Sequence, residues 1–418
     1  MGQLTDNCFA IDQKLVSTEQ ALETIKSRLC TLTQTERVPL RDAGGRILAE
    51  DVRAMRAVPP FNNSAVDGYS VNFSDLNNSG ETKMRLASTK IAAGHPANRA
   101  AYPLEAWQIF TGAPLPEGHD TVVMQEDCQL DGNTVILPEG IRQGINRRIA
   151  GEDIKPGEII LRTGQKLRPQ HLGLAASISR SELTVFKKLR VAAFSTGDEI
   201  RDLDYPLDAG CIYDSNRYAI LALVSDLGCD AFDLGIVPDD RLVIQKMLVD
   251  ASKEYDAIIT SAGVSVGEKD HVRAAVEKLG SLHFWKLAIR PGRPLALGQI
   301  NRKPFIGLPG NPVAVMVTFM RFARPALLTM AGCREIEPLI FKVPAVFSYR
   351  KKLGRREWLR ASLITDEKGE LGAQKFNSQG AGILSSVVNS DGLLELSEEL
   401  TDIAPGTILD FIPFSEVT

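Results

Sequence analysis

Residues 257–271 read Ala257-Ile258-Ile259-Thr260-Ser261-Ala262-Gly263-Val264-Ser265-Val266-Gly267-Glu268-Lys269-Asp270-His271. A short unbroken apolar run passes at once into small and hydroxyl residues, and a helical pattern follows from Val272 to Leu279, ended by Gly280. An apolar run without alternation suits a strand covered on both faces, the situation of a sheet flanked by helices. The same grammar recurs on either side. Val191 to Phe194 reads as a strand, Tyr218 to Leu227 as a helix stopped by Gly228, Ala231 to Val237 as a strand and Leu242 to Ser252 as a helix. His283 to Ala288 and Phe305-Ile306 read as further strands, and Pro312 to Met330 as a long helix. Strands separated by helices of this length predict βαβ units and a parallel sheet over residues 183–334.

Outward from this unit the composition changes. Ser17-Thr18-Glu19-Gln20 is a capping sequence ahead of Ala21, Leu22, Ile25 and Leu29 at helical spacing. Val38-Pro39-Leu40 and Ile47-Leu48-Ala49 flank Gly44-Gly45 as in a strand–turn–strand. Residues 52–146 carry short β-like runs among frequent Gly, Pro and Asn. Gly151 to Leu167 is turn-rich, and Pro169 opens a helix from Gln170 to Ser179. This stretch is like the N-terminal segment in character, so residues 1–51 and 147–182 are expected to form one discontinuous domain with a β-rich domain inserted. Residues 335–418 show short strands and Gly-containing turns, the pattern of a small all-β domain.

The chain has 418 residues, 44% hydrophobic and 24% charged, which is an ordinary folded composition. Its formal net charge of −4 gives no whole-surface attraction for nucleic acid or anionic membranes. Any bound anion must meet a local cluster of cations or backbone amides. Six dispersed cysteines without a C-x-x-C pair point to reduced thiols and a cytoplasmic location. The N-terminus has no apolar signal region, and Arg321 and Arg324 interrupt the longest apolar stretch.

In open parallel sheets, ligands bind beyond the carboxyl ends of the strands. Four loops expected there are rich in small and polar residues: Ser195-Thr196-Gly197-Asp198-Glu199, Ser261 to His271, Arg290-Pro291-Gly292-Arg293-Pro294 and Gly307-Leu308-Pro309-Gly310-Asn311-Pro312. Small residues let the backbone approach a ligand, hydroxyls and amides hold phosphate oxygens, and paired arginines recognise oxyanions. Neither a Walker A loop nor a helix-opening G-x-G-x-x-G is present. Asp198, Glu199, Asp239, Asp240 and Asp270 fall at the same edge, as hard ligands for Mg²⁺ or, for Asp198 and Asp270, as helix caps. The five histidines have no metal-ligand spacing and read as structural.

These loops, in this order, resemble the molybdopterin molybdenumtransferase family, the family of the gephyrin E domain. The resemblance extends over Phe61 to Tyr69, Thr111 to Glu126, Gly151-Glu152-Asp153, Ser195 to Glu199, Tyr213 to Arg217, Ser261 to His271, Arg290 to Pro294, Leu308 to Pro312, Gly354-Arg355, Arg360 and Gln379 to Ser386. It implies an α/β multidomain protein: an elongated N-terminal domain, the inserted domain, a pterin-binding sheet domain and a β-barrel-like C-terminal domain. It implies a homodimer whose site lies between the sheet domain of one subunit and the inserted domain of the other, with transient contacts to an adenylyltransferase and to molybdoenzymes. The implied reaction takes adenylylated molybdopterin and molybdate, inserts the metal into the dithiolene and releases AMP with the help of Mg²⁺.

By the same resemblance, Ser261, Gly263, Ser265 and Gly267 hold the pterin phosphates, and Ser195, Thr196 and Gly197 belong to the substrate-binding set. The acidic groups of catalysis are Asp198, Glu199, Asp239 and Asp270, with Asp67 and Glu126, and the metal falls to Asp67, Asp198 and Asp270. Arg290, Pro291, Arg293, Pro294 and Arg355 surround molybdate and Ser385 is a further substrate-binding residue, while Thr111, Glu126, Arg148 and Asp153 come with Asp67 from the partner. The family pattern has Asp at Asn62, Lys at Arg290 and Arg293, Gly at Ala262 and a hydroxyl at Ala381. Those departures imply a weakened transferase or, as the alternative, a pterin-binding scaffold without turnover.

Overall fold

The computed structural model describes residues 3–5, 8–10, 15–261 and 271–418. Ala262, Gly263, Ser265, Gly267 and Asp270 therefore lie outside the described residues.

Helix α1 (Thr18–Arg28) starts where its sequence dictates. Ser17 Oγ accepts from Gln20 N while Gln20 Oε1 accepts from Ser17 N, a reciprocal capping box. Strand β1 (Thr35–Pro39) pairs antiparallel with β2 (Glu182–Phe186), placing Val38 opposite Leu183. Residues 38–40 and 47–49 do not pair with each other. Ile47 bridges Lys166 and Leu48 bridges Val185 instead, because each run buries its apolar side chains against the later segment. Their shared core includes Val38, Leu48, Val52, Leu161, Leu167 and Leu183.

Residues 68–137 contribute a six-stranded sheet in the order 121–124, 68–71, 105–109, 82–86, 134–137, 129–131. Gly68 sits where neighbouring backbones touch, since a Cβ there would lie 2.0 Å from the carbonyl oxygen of Val123.

The central sheet is built from β3 (Arg190–Thr196), β4 (Asp230–Val237), β5 (Ala257–Ser261), β6 (Gly280–Lys286), β7 (Pro294–Ile300) and β8 (Lys303–Leu308), in spatial order β4-β3-β5-β8-β7-β6. Helices α3 (Ser215–Asp226), α4 (Arg241–Glu254) and α5 (His271–Leu279) connect its strands, α2 (Pro169–Ser177) having preceded it in the N-terminal unit. The sheet is mixed, which corrects the all-parallel expectation. β3, β4, β5 and β8 run parallel, but β7 is antiparallel to both β8 and β6. Asn301 and Arg302, with φ of 49° and 66°, make a two-residue turn with positive φ at both centres, the kind that folds a strand back on its neighbour. Two reversals restore the direction of β6. The loop after it, residues 287–293, therefore opens at the same carboxyl edge as those after β3, β5 and β8.

Helix α6 (Pro312–Met330) has a mean hydropathy of 1.4 and is 83% buried, a core helix by burial, with a wider π turn over Phe319–Ala323. In the C-terminal unit, the strand Arg356–Thr365 pairs with Gly392–Leu396 on one side and Leu371–Lys375 on the other. Ile408–Pro413 and Phe341–Pro344 extend the sheet, and an Ala345–Ala373 bridge closes it into a small barrel around Val343, Leu359, Leu394 and Phe411. Ile289-Arg290 joins the barrel as a parallel partner of Arg356-Glu357, so one ligand-edge loop is hydrogen-bonded to the C-terminal unit.

Candidate functional site

At the carboxyl edge of β3 and β5, a cleft of about 320 Å³ is lined by Ser195, Thr196, Glu199, Tyr213, Ser261 and Asn311, among others. The hydroxyls of Ser195 and Thr196 are fully buried in its wall and have no hydrogen-bond partner among the described residues. A buried hydroxyl without a partner is costly, and one facing a cleft is satisfied by a bound ligand. Helices α3 and α6 both begin at this cleft, bringing the amide ends of two helices to one place. Asn216 Nδ2 donates to Gly310 O at 2.7 Å and ties the two starts together. Asn311, the N-cap of α6, makes no side-chain cap bond.

The wall of this cleft is braced from behind. Asp214 caps α3 by accepting from Arg217 N at 3.1 Å. Arg217 is 2% exposed, and its guanidinium reaches Asp214 at 2.9 Å, Asp202 at 2.7 Å and Asp233. Although burial works against its charge, the carboxylates on Asp233 and Asp214 outweigh it and raise the guanidinium pKa. Residues 200–201 pair with 212–213, fixing the strap that carries Glu199 and Tyr213.

Asp198 lies in the loop between β3 and this strap, and no helix follows it, so capping is not its role. Its carbonyl accepts from Arg201 Nη1 at 2.8 Å. Asp239 is exposed, one residue before Asp240, which caps α4 through Leu242 N at 2.8 Å and Val243 N at 3.0 Å. Those backbone hydrogen bonds hold the Asp240 carboxyl below its ordinary range.

A second constellation forms where the loop after β6 meets the barrel. Arg290 Nη1 lies 3.4 Å from Tyr349 Oη and 3.6 Å from Glu357 Oε2. Arg355 Nε is 3.4 Å from Glu357 Oε1. Pro291 is buried, whereas Arg293 and Pro294 are exposed. Arg360, missed as a site residue by the sequence reading, is 1% exposed and has no carboxylate partner among the described residues. It donates to Ser386 Oγ at 2.9 Å and to the carbonyls of Gly380 and Trp358 at 3.3 and 3.4 Å. Burial, and then the nearby charge of Arg290, push its pKa down to about 10. A buried guanidinium short of negative charge is an oxyanion receptor in waiting. Ser386, not its neighbour Ser385, engages this arginine; Ser385 is exposed and its carbonyl accepts from Asn389 N. Ala381 contributes its carbonyl, which accepts from Val313 N at 2.9 Å at the start of α6.

The third group lies within residues 63–153. Asp67 Oδ1 accepts from both Thr111 N and Thr111 Oγ1 at 2.8 Å, and its pKa is lowered by that pair of bonds. Gln125 N donates to Asp67 O at 3.1 Å, which brings the exposed Glu126 alongside. Arg148 pairs with Asn63 in a two-stranded ladder, and Asp153 is exposed nearby. No group of three His, Cys, Asp or Glu residues able to hold a metal forms among the described residues.

Residues 16–179 match the family described as MoeA N-terminal region (domain I and II), residues 192–329 the probable molybdopterin binding domain, and residues 342–414 the MoeA C-terminal region (domain IV). The chain is 36% identical over 405 residues to the molybdopterin molybdenumtransferase of Haemophilus influenzae, covering 96% of this chain and all of the relative. It is 37% identical over 323 residues to that of a Nostoc species, covering 76% and 74%. A crystal structure of the molybdopterin biosynthesis moeA protein from Pyrococcus horikoshii superposes with a TM-score of 0.78 at 28% identity, over 96% of this chain and 100% of that one.

Proposed function

The chain belongs to the molybdopterin molybdenumtransferase family and is an enzyme of molybdenum cofactor biosynthesis, and from that premise we propose how its own residues divide the work. The cleft at β3 and β5 takes the phosphates of adenylylated molybdopterin, through the hydroxyls of Ser195, Thr196 and Ser261 and the amide ends of α3 and α6. The arginines at the barrel junction, Arg290, Arg355 and Arg360, receive molybdate as the second substrate. Insertion of the metal into the dithiolene accompanies cleavage of the phosphoanhydride and release of AMP. Asp67, Thr111, Glu126, Arg148 and Asp153 complete the site from the second subunit of a cytoplasmic homodimer. In domain terms, residues 1–51 with 147–182, 52–146, 183–334 and 335–418 are the units we assign.

The observation that carries this reading is the pair of buried hydroxyls, Ser195 and Thr196, unpartnered among the described residues and facing a cleft where two helices begin. Mg²⁺ needs several oxygens at close range, and the described residues of one chain do not assemble such a set, so no step here passes through it. Asp198, with Asp67 from the second subunit and the substrate phosphates, would hold it, while Asp270 lies outside the described residues. The test is AMP release from adenylylated molybdopterin with molybdate and a Mg²⁺ series. Ser195→Ala with Thr196→Ala should weaken substrate binding by about 1.5–3 kcal/mol for hydrogen bonds to a charged group. A double variant with parental KM for the pterin substrate would overturn the phosphate assignment.

A further inference from the structure

Between the arginines assigned to molybdate stands a carboxylate that the reaction does not require. Glu357 is 1% exposed, and the parallel pairing of Ile289-Arg290 with Arg356-Glu357 sets it directly beside Arg290. Tyr349 Oη donates to Glu357 Oε2 at 3.0 Å, which leaves the phenol's lone pairs for Arg290 Nη1 at 3.4 Å. The other oxygen, Oε1, faces Arg355 Nε at 3.4 Å and completes no hydrogen bond among the described residues. Lys351 Nζ, 2.7 Å from the carbonyl of Arg355, fixes the backbone of that arginine from below. One carboxylate thus spaces Arg290 and Arg355, while Arg360 on the same strand as Arg356 has none among the described residues.

We propose that Glu357 is a positioning residue and internal counter-charge for the oxyanion pocket, setting how tightly a tetrahedral dianion is held. The proposal rests on the assignment of that pocket to molybdate. Loosely made ion pairs at 3.4 and 3.6 Å keep both guanidiniums ordered yet available, so an incoming dianion exchanges for Glu357 without rebuilding the site. Three arginines alone would overmatch a dianion and bind it, or any similar oxyanion such as sulfate, too firmly for turnover. Glu357 reduces that excess.

The experiment is direct calorimetric titration of the purified full chain with sodium molybdate at several salt concentrations, for the parent, Glu357→Gln, Glu357→Asp and Arg290→Ala. Removing one opposing charge at this range should tighten molybdate about fivefold in Glu357→Gln. It should also steepen the salt dependence, while Glu357→Asp, which keeps the charge, binds as the parent does. A gain in affinity cannot arise from damage to the fold. Unchanged or weaker binding in Glu357→Gln with a parental melting curve overturns the counter-charge role. If Glu357→Asp and Glu357→Gln behave alike, side-chain geometry and not charge is at work, and the proposal also falls. Arg290→Ala separates the two levels: molybdate bound as tightly by that variant as by the parent would overturn the pocket assignment itself.

Discussion

The amide oxygen of Asn62 accepts the backbone N–H of Ala150 at 2.9 Å, pinning the start of the Phe61–Tyr69 segment to the chain that leaves the inserted sheet. The position therefore has a local architectural task, one that either an amide or a carboxylate oxygen can perform.

Asn62→Asp is accordingly expected to keep the parental melting temperature, because the acceptor survives. Its added negative charge should lower the Mg²⁺ concentration needed for AMP release. Asn62→Ala, which loses the acceptor, should cost about 1 kcal/mol in urea unfolding. Falling activity in Asn62→Asp with unaltered stability would remove this position from any metal-linked role.

Arg290→Ala is expected to raise the half-saturating molybdate concentration by roughly 1–3 kcal/mol, the loss of a charged hydrogen bond. Arg293→Ala should have a smaller effect, since Arg290, not Arg293, is the one held against Tyr349 and Glu357, while the Arg293 carbonyl, which accepts from Leu287 N at 2.9 Å, remains. Steady-state kinetics with molybdate varied decides between them.

Asp198→Asn should leave thermal stability unaltered, as this residue starts no helix. If Asp198 carries charge for the phosphate site, the variant needs more Mg²⁺ for the same rate. A Mg²⁺ titration identical to the parent's rejects that role.

Gly292 has φ of 89°, and a Cβ there would lie 2.7 Å from Thr318 Cγ2 and 3.4 Å from Ala314 Cβ on α6. Gly292→Ala is expected to destabilise the protein by about 1–3 kcal/mol, from backbone strain and steric overlap together. Thr318→Ser, which removes the clashing methyl but keeps the hydroxyl bonded to Ala314 O, should recover part of that loss in denaturant melts.

Acid should loosen the inserted sheet in two stages. Burial pushes His119 down to about 4, so the unfolded chain takes up a proton first, and stability falls as pH drops from about 6.5 toward 4. Glu105, hydrogen-bonded by Arg99 and also by Trp107, is held at about 2. Its contribution is complete above about 4.5 and lost as pH falls toward 2. His119→Gln should flatten the upper stage alone in pH-dependent thermal melts; an unaltered upper stage would assign it elsewhere.

Local pattern by itself determined the strand and helix alternation from Val191 to Leu279 and the capping box of α1, because each rests on neighbours within a few positions, but it did not register the strand Pro294–Ile300. It also placed Ser195, Thr196 and Ser261 at a strand edge, since a strand's end and its loop are adjacent in sequence. Sequence did not reveal that the sheet is mixed. Leu295 to Ile300 is as apolar as a parallel strand, and its direction depends on a turn at Asn301-Arg302 with no glycine to announce it. Nor could it choose the buried Arg360 over the half-buried Arg355 and Arg356, or Ser386 over Ser385. A guanidinium's value as an anion receptor depends on which carboxylates are absent around it, and that is known only once distant segments have packed. The pairing of Arg290 with Glu357, 67 positions further along the chain, is of the same kind. Two charges become partners there because a sheet loop and a barrel strand share backbone hydrogen bonds, and only the tertiary structure decides that.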